Sequence, residues 1–184
     1  EEGLKNAQKQ LEVYKHSLLK SAFEGNIRTK TNANWYKLKL GDIYDFIGGG
    51  TPSKKVNTYW KGNIPWASVK DISGMYLNNT QDKITIEGLN NSSANIAHKN
   101  NVILVTRINT GVVIISNLEV AINQDLKIIK SKNDSVDFKF IYYHFRYLQQ
   151  NIIKYSKGTT VSGIRLNELN NLEVEIPELP IQIN

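Results

Sequence analysis

Residues 102–115 read VILVTRINTGVVII, and this stretch decides the fold. Two short runs rich in β-branched residues flank a polar segment that ends in glycine, which is typical of two neighbouring strands joined by a turn. Two further short segments rich in apolar residues follow at residues 120–122 and 126–129. The pattern therefore predicts four successive strands between residues 102 and 129.

The pattern of residues 3–24 predicts one long helix with a narrow apolar stripe. The stripe has the alternating spacing of three and four residues found in coiled coils and consists of Leu4, Ala7, Leu11, Tyr14 and Leu18. Gly25 and Asn26 then form a good helix stop. A seam of this kind needs a covering surface, which is either another helix or the chain's own domain.

The rest of the chain predicts a mixture of strands and helices. Phe138, Ile141, Phe145, Leu148 and Ile152 recur on one face of an amphipathic helix. We predict short helices at residues 40–47, after Thr85 and at 166–169, and further strands at 64–69 and 172–176. The fold class is thus α+β: a coiled-coil-like helix at residues 1–25, a polar linker at 26–34, and a mixed α/β domain at 35–184.

Composition excludes several classes of site. The 184 residues include no cysteine, which removes disulfides, thiolate metal sites and cysteine nucleophiles. The three histidines are far apart and match no metal-ligand spacing. The longest apolar runs are too short to cross a bilayer, and no signal peptide pattern opens the chain. We therefore expect no metal, no membrane association and a cytoplasmic location.

The charge is unevenly distributed. Residues 25–165 hold 19 basic and 9 acidic side chains, a net charge of +10, whereas residues 1–24 are neutral and residues 166–184 carry −4. A basic central region favours a polyanionic partner such as nucleic acid. Compositional drift in an AT-rich genome gives the same bias, because only four of the 23 basic residues are arginine.

Catalytic motifs are incomplete. Residues 46–50, FIGGG, match the glycine turn that holds S-adenosylmethionine in amino-methyltransferases. Those enzymes also need a [DN]-P-P-[YFW] loop to grip the extruded base, and the four prolines here are never adjacent. No phosphate-binding P-loop motif occurs either. We predict no catalysis and no cofactor.

Two basic loops framed by glycine remain, at residues 48–55 and 157–165, together with the turn around Arg107. Their hydroxyls, amides and cations are the groups that clamp phosphates and read base edges. Tight structural turns with solvated lysines would have the same sequence, and Arg107 is as well suited to pairing with a carboxylate inside the fold.

These motifs together resemble a family, the type I restriction–modification specificity subunits. The resemblance rests on Trp35-x-x-Leu38-x-Leu40-Gly41-Asp42-Ile43, Gly49-Gly50-Thr51-Pro52-Ser53, Tyr59-Trp60-x-Gly62-x-Ile64-Pro65-Trp66, Asp71-Ile72, Thr106-Arg107, Asn123-Gln124, Gly158-Thr159-Thr160 and Leu172-x-Val174-x-Ile176-Pro177. Their order is that of the family over nearly the whole chain. Phe23-Glu24-Gly25 ends a helix that looks like the family's spacer helix.

The resemblance implies a non-catalytic target recognition domain at residues 35–184 that reads one half of a bipartite site in double-stranded DNA. It implies that the helix docks methyltransferase subunits and meets a second helix, from a second recognition domain or from another copy of the chain. A separate motor-nuclease subunit would supply ATP hydrolysis and cleavage. Complete family members have two recognition domains and two helices, and this chain has one of each.

Family members with different targets share the motifs, so the resemblance implies that the motif residues hold the fold and that neighbouring polar residues contact DNA. The predicted DNA-binding residues are Lys54, Lys55, Arg107, Asn109, Lys157, Thr159, Thr160, Ser162 and Arg165. Two alternatives remain open. The chain could be the specificity part of another multisubunit restriction system, or a protein-interaction module that dimerises through its helix.

Overall fold

The structure is a computed structural model that describes residues 2–24, 34–156 and 163–178. Its helices are α1 (Glu2–Phe23), α2 (Leu40–Ile43), α3 (Ile86–Asn90), α4 (Phe138–Ser156) and α5 (Leu166–Asn170). Its strands are β1 (Trp35–Lys39), β2 (Tyr44–Gly48), β3 (Trp60–Ala67), β4 (Tyr76–Leu77), β5 (Asp82–Ile84), β6 (Asn95–Ala97), β7 (Val102–Val105), β8 (Val113–Ser116), β9 (Val120–Ile122), β10 (Leu126–Ser131) and β11 (Glu173–Pro177). The predicted α+β class and the four strands between residues 102 and 129 are confirmed.

One predicted helix is wrong in its second half. The segment at residues 40–47 is helical only through Ile43, and Tyr44–Gly48 forms β2. This strand pairs with β10 in antiparallel register, with Phe46 opposite Ile129. Tyr44 is buried in the core, and sheet pairing satisfies its backbone there, so tertiary contacts override the local helical pattern.

Two sheets form the centre of the domain. The five-stranded sheet has the order β2-β10-β7-β8-β4, and the four-stranded sheet has the order β5-β3-β9-β6. Each sheet contains one parallel pair, β4 with β8 and β3 with β9. A separate ribbon joins β1 to β11, so that Trp35 lies opposite Pro177. The ribbon ties the start of the domain to its far end.

The core lies on both faces of the five-stranded sheet. Val102 and Leu104 pack with Phe145 of α4 on one face, whereas Ile103 and Val105 belong to a second cluster that includes β9. Side chains alternate between the faces of a strand, so β7 must be apolar at every position when both faces are covered. This explains the continuous apolar runs in the sequence.

The long helix α1 meets the rest of the chain through α4. Phe23 is buried against α4, with its ring 5.2 Å from both His144 and Tyr147. Earlier in α1, Glu12 forms an exposed ion pair of 3.4 Å with Arg146. In the described ranges, neither α1 nor α4 nor any shorter helix is long and apolar enough to cross a membrane.

Candidate nucleic-acid interface

The glycine loop after β2 is fixed by the fold around it. The Gly50 N–H donates to the Ile122 carbonyl at 2.9 Å, and the Trp66 indole donates to the Gly50 carbonyl at 3.0 Å. A second indole, that of Trp60, donates to the Ser53 carbonyl at 3.1 Å. A Cβ atom at Gly49 would lie 2.1 Å from the Ile122 carbonyl oxygen, so only glycine fits there.

These bonds give the loop motif a structural role. Trp60 and Trp66 of β3 fix the backbone of the glycine motif through their indole hydrogen bonds. The Gly50 N–H is already used inside the fold and is not available to a phosphate. The groups of this loop that are open to solvent are the side chains of the residues that follow, Ser53, Lys54 and Lys55.

Lys54 and Lys55 follow this loop and are exposed. Lys54 lines an open cleft of about 480 Å³ together with Asn57, Trp60, Lys61 and Asp82. Two ammonium groups and an aromatic ring in one open cleft suit a phosphate backbone with neighbouring bases. Asp82 is paired with Lys70 at 2.8 Å, which offsets its charge.

The turn between β7 and β8 carries the predicted residues Arg107 and Asn109. Both side chains are exposed, and Arg107 lies 3.5 Å from the Asp125 carboxylate. Arg107 thus pairs with a carboxylate, which is one of the two alternatives that its sequence left open. However, 55% of the Arg107 side chain is exposed, against 16% for Asp125. A guanidinium held on one side and open on the other is oriented and still able to bind a ligand.

The glycine loop and the Arg107 turn are linked through the turn after β9. Thr51 donates to the Gln124 side chain at 2.5 Å, next to Asp125 and its ion pair. Lys127 on β10 is half-buried under the same region, and burial, followed by the nearby charge of Arg107, lowers its pKa. Gln124 and Lys127 are candidates absent from the predicted set, although the Asn-Gln motif was a signal for the first.

The described end of the second basic loop, at Gly163 and Ile164, contacts the Arg107 turn. Gly163 forms an isolated antiparallel bridge with Arg107, and Ile164 donates to the Thr106 carbonyl at 3.0 Å. Arg165 follows, exposed, at the start of α5, where its N–H donates to Glu168 at 2.9 Å. Lys157, Thr159, Thr160 and Ser162 lie outside the described residues, so their predicted role stays a prediction.

The apolar stripe of α1 is exposed. Leu4, Ala7, Leu11, Tyr14 and Leu18 are solvent-accessible to differing degrees, with Leu4 72% and Leu18 43% exposed. The chain's own domain therefore does not cover the seam within the described residues. In the same part of the chain, no group of three or more histidine and acidic side chains is arranged to hold a metal ion.

The structure thus combines a long, exposed helix with an α+β domain whose exposed loops are basic. Comparison with known proteins gives the family. The family model described as the type I restriction modification DNA specificity domain matches residues 32–183. The chain belongs to this family. The match covers most of the chain, which therefore carries a DNA specificity domain of the kind described for type I restriction modification systems.

Two curated relatives are specificity subunits of type I restriction enzymes, consistent with the family match. A type I restriction enzyme specificity subunit of Methanocaldococcus jannaschii is 29% identical over 153 residues, which cover 80% of this chain and 35% of the relative. A specificity subunit of Escherichia coli is 29% identical over 178 residues, covering 93% of this chain and 42% of that protein. The chain therefore spans less than half the length of these relatives.

A solved structure shows the same fold. The HsdS subunit from Thermoanaerobacter tengcongensis superposes with a TM-score of 0.65 at 20% identity, covering 96% of this chain and 41% of that one. At this identity the likeness concerns the fold, including the long N-terminal helix within the covered part. The comparison supports the predicted combination of a helix with an α+β domain.

Proposed function

We propose that this chain reads one half of a bipartite sequence in double-stranded DNA for a type I restriction–modification complex. The observation that carries the proposal is the surface formed by the Arg107 turn, the glycine loop and the exit of the second basic loop. Hydrogen bonds and an ion pair join these three segments of a +10 region into one exposed polar surface. Family membership supports DNA as the ligand, and this exposed polar surface supports the location that we propose for the contacts.

The helix α1 has the second task in this proposal. A second helix and the methyltransferase subunits dock on its exposed apolar stripe. DNA is contacted by the loops of the α+β domain. The second helix comes from a second recognition domain or from another copy of the chain. The motor-nuclease subunit joins through the assembled complex, and the chain itself needs no cofactor.

Selection from a random duplex pool tests this function. The chain is incubated with the pool at fixed salt, with and without the methyltransferase subunit, and bound duplexes are sequenced. We expect enrichment of one short asymmetric motif. A pool that stays random in both arms contradicts the proposal and favours the protein-interaction module.

Variants of the surface sharpen the test by separating two kinds of contact. Lys54→Ala removes a charge from the cleft, so affinity should fall on every duplex and the salt slope should become shallower by about one unit. Lys99→Ala is the control, because Lys99 is exposed in the turn before β7, at the opposite end of that strand from Arg107. An unchanged salt slope for Lys54→Ala removes this lysine from the interface.

Arg107 should behave differently from Lys54. Arg107→Lys keeps the charge beside Asp125 but loses the two-pronged donor that matches a guanine edge. If Arg107 reads a base, this variant relaxes the selected motif at one position, by about 1–3 kcal/mol of discrimination. An unchanged motif with a uniformly weaker affinity places Arg107 on the phosphate backbone.

A further inference from the structure

Ile108 has an unusual backbone and an unusual exposure. It lies at the tip of the turn between β7 and β8 with a φ of 67°, in the left-handed region, and 72% of its surface is exposed. A β-branched side chain rarely adopts this conformation, because its Cβ substituents crowd the backbone. Glycine or asparagine would follow the same path at lower cost.

Hydrogen bonds and packing constrain the residues on both sides of Ile108. Thr110 donates its hydroxyl to the Thr106 carbonyl at 3.3 Å, and Thr106 donates its own to the Asp125 carbonyl at 2.9 Å. The Gly111 N–H donates to the Val105 carbonyl at 2.9 Å, and the space beside Gly111 is closed by Gln149 of α4. The left-handed backbone of Ile108 therefore lies between residues that the surrounding fold holds in place, and such strained residues are common at binding sites.

The neighbours of Ile108 indicate what its side chain meets. Arg107 and Asn109 flank it and are exposed, so one apolar group stands between two side chains of the types that read guanine and adenine edges. The major groove admits a two-stranded ribbon, and the thymine 5-methyl is the apolar group displayed there. An isoleucine on a rigid tip complements that methyl group.

We propose that Ile108 is a specificity-determining residue that contacts the 5-methyl group of a thymine in the target duplex. The proposal rests on the DNA-reading function proposed above. The turn presents Ile108 at a fixed position between Arg107 and Asn109, and the strained backbone is retained because the side chain contributes to recognition.

The test replaces each thymine of the selected motif by deoxyuridine, which removes only the methyl group. For the unmodified chain, one replacement should weaken binding by about three- to tenfold, as expected for burial of one methyl group. For Ile108→Gly, the same replacement should change affinity by less than about twofold. Ile108→Val should keep most of the methyl dependence.

Thermal unfolding separates recognition from stability. Ile108→Gly relieves the left-handed strain and removes little packing, so its Tm should rise by about 2 °C while affinity for the thymine-containing duplex falls. Ile86→Gly is the matched control: it removes an isoleucine that is 63% exposed, on α3, outside the left-handed region. The control should lower the Tm and leave the deoxyuridine profile unchanged.

Three results would overturn the inference alone. The first is a selected motif without any A·T base pair. The second is full deoxyuridine sensitivity in Ile108→Gly. The third is loss of methyltransferase affinity in that variant with an unaltered deoxyuridine profile, which would assign Ile108 to a protein contact. A pool without any enriched motif would overturn the proposed function and this inference together.

Discussion

The two long helices have similar apolar stripes in the sequence, but the structure buries one stripe and exposes the other. Both α1 and α4 have an apolar stripe at helical spacing. The stripe of α4 is buried on the five-stranded sheet, with Phe145 fully inaccessible, whereas the stripe of α1 is exposed from Leu4 to Leu18. The period of a stripe thus predicts a helix and a buried face, but it does not predict which surface covers that face.

The difference separates the elements that stabilise the domain from those that are available to a partner. Helix α4 belongs to the core cluster beneath the five-stranded sheet, whose loops carry the candidate DNA contacts. Helix α1 contributes Phe23 to that core and leaves the rest of its apolar stripe open. Four predictions test this division, from the largest expected effect to the smallest.

Phe145→Ala should have the largest effect. The ring is fully buried and packs edge-on against Tyr44 and Phe46, so its loss leaves a cavity between helix and sheet. The free energy of unfolding should fall by about 3–5 kcal/mol. Urea unfolding measures it, and a loss below about 1 kcal/mol would mean that α4 is not a core element. Tyr143→Ala, on the exposed side of α4, is the control.

Phe23→Ala should have a smaller effect because only the end of α1 is buried. Its ring stacks on His144 and Tyr147 of α4, and its removal should cost about 2 kcal/mol. Hydrogen exchange should also become faster along α1, since its main apolar anchor is gone. Tyr14→Ala removes an exposed aromatic ring from the same helix, and equal effects of the two variants would contradict the division.

His144, which is buried where α1 meets α4, should make the free energy of unfolding depend on pH. Burial lowers its pKa from 6.5 to about 3, and its Nδ1 is hydrogen-bonded to the Tyr44 hydroxyl at 3.1 Å. Between these pH values the unfolded chain binds a proton that the folded chain does not, so stability falls as the pH is lowered from 6.5 toward 3. The slope contributed by this group approaches about 1.4 kcal/mol per pH unit.

His144→Gln removes this titration and keeps a polar group for Tyr44. Its unfolding free energy should decline less steeply than that of the unmodified chain between pH 6.5 and 4. Parallel pH profiles for the two proteins would show that His144 is accessible to protons in the folded state.

Leu11→Asp combined with Leu18→Asp should have the smallest effect on the isolated chain. Both leucines are exposed, so the free energy of unfolding should change by less than about 0.5 kcal/mol. Association through the helix should be lost, which sedimentation measures, while DNA selection is unchanged. Asn6→Asp with Val13→Asp adds acidic groups at the same spacing on the other face, and it should leave association intact.

Sequence patterns predicted most elements near the domain centre. The β-branched runs between residues 102 and 129 were sufficient for β7 to β10, and Thr85 correctly marked the start of α3, whose Gly88 N–H it caps at 3.0 Å. The prediction failed after Ile43, because pairing with β10 and burial of Tyr44 decide the conformation of that segment. Local propensity is weaker than these long-range contacts.

The candidate site was predictable in part for the same reason. Glycine, threonine, lysine and arginine in short loops indicated phosphate or base contacts. The structure shows that loops distant in sequence meet: Thr51 donates a hydrogen bond to Gln124, and the next residue, Asp125, pairs with Arg107. The half-buried position of Lys127 had no signal in its local sequence. Whether these residues contact DNA stays a prediction that the duplex selection addresses.

The sequence by itself determined the helical period of α1 and α4, the short strands, the absence of cysteine chemistry and the basic character of the central region. These depend on composition and on neighbours along the chain. Only the tertiary structure decided that α4 is covered and α1 is open, that the two tryptophans fix the glycine loop, and that Ile108 is held in a left-handed turn. Those features depend on contacts between residues far apart in sequence, whose free energies outweigh local preference when many of them act together.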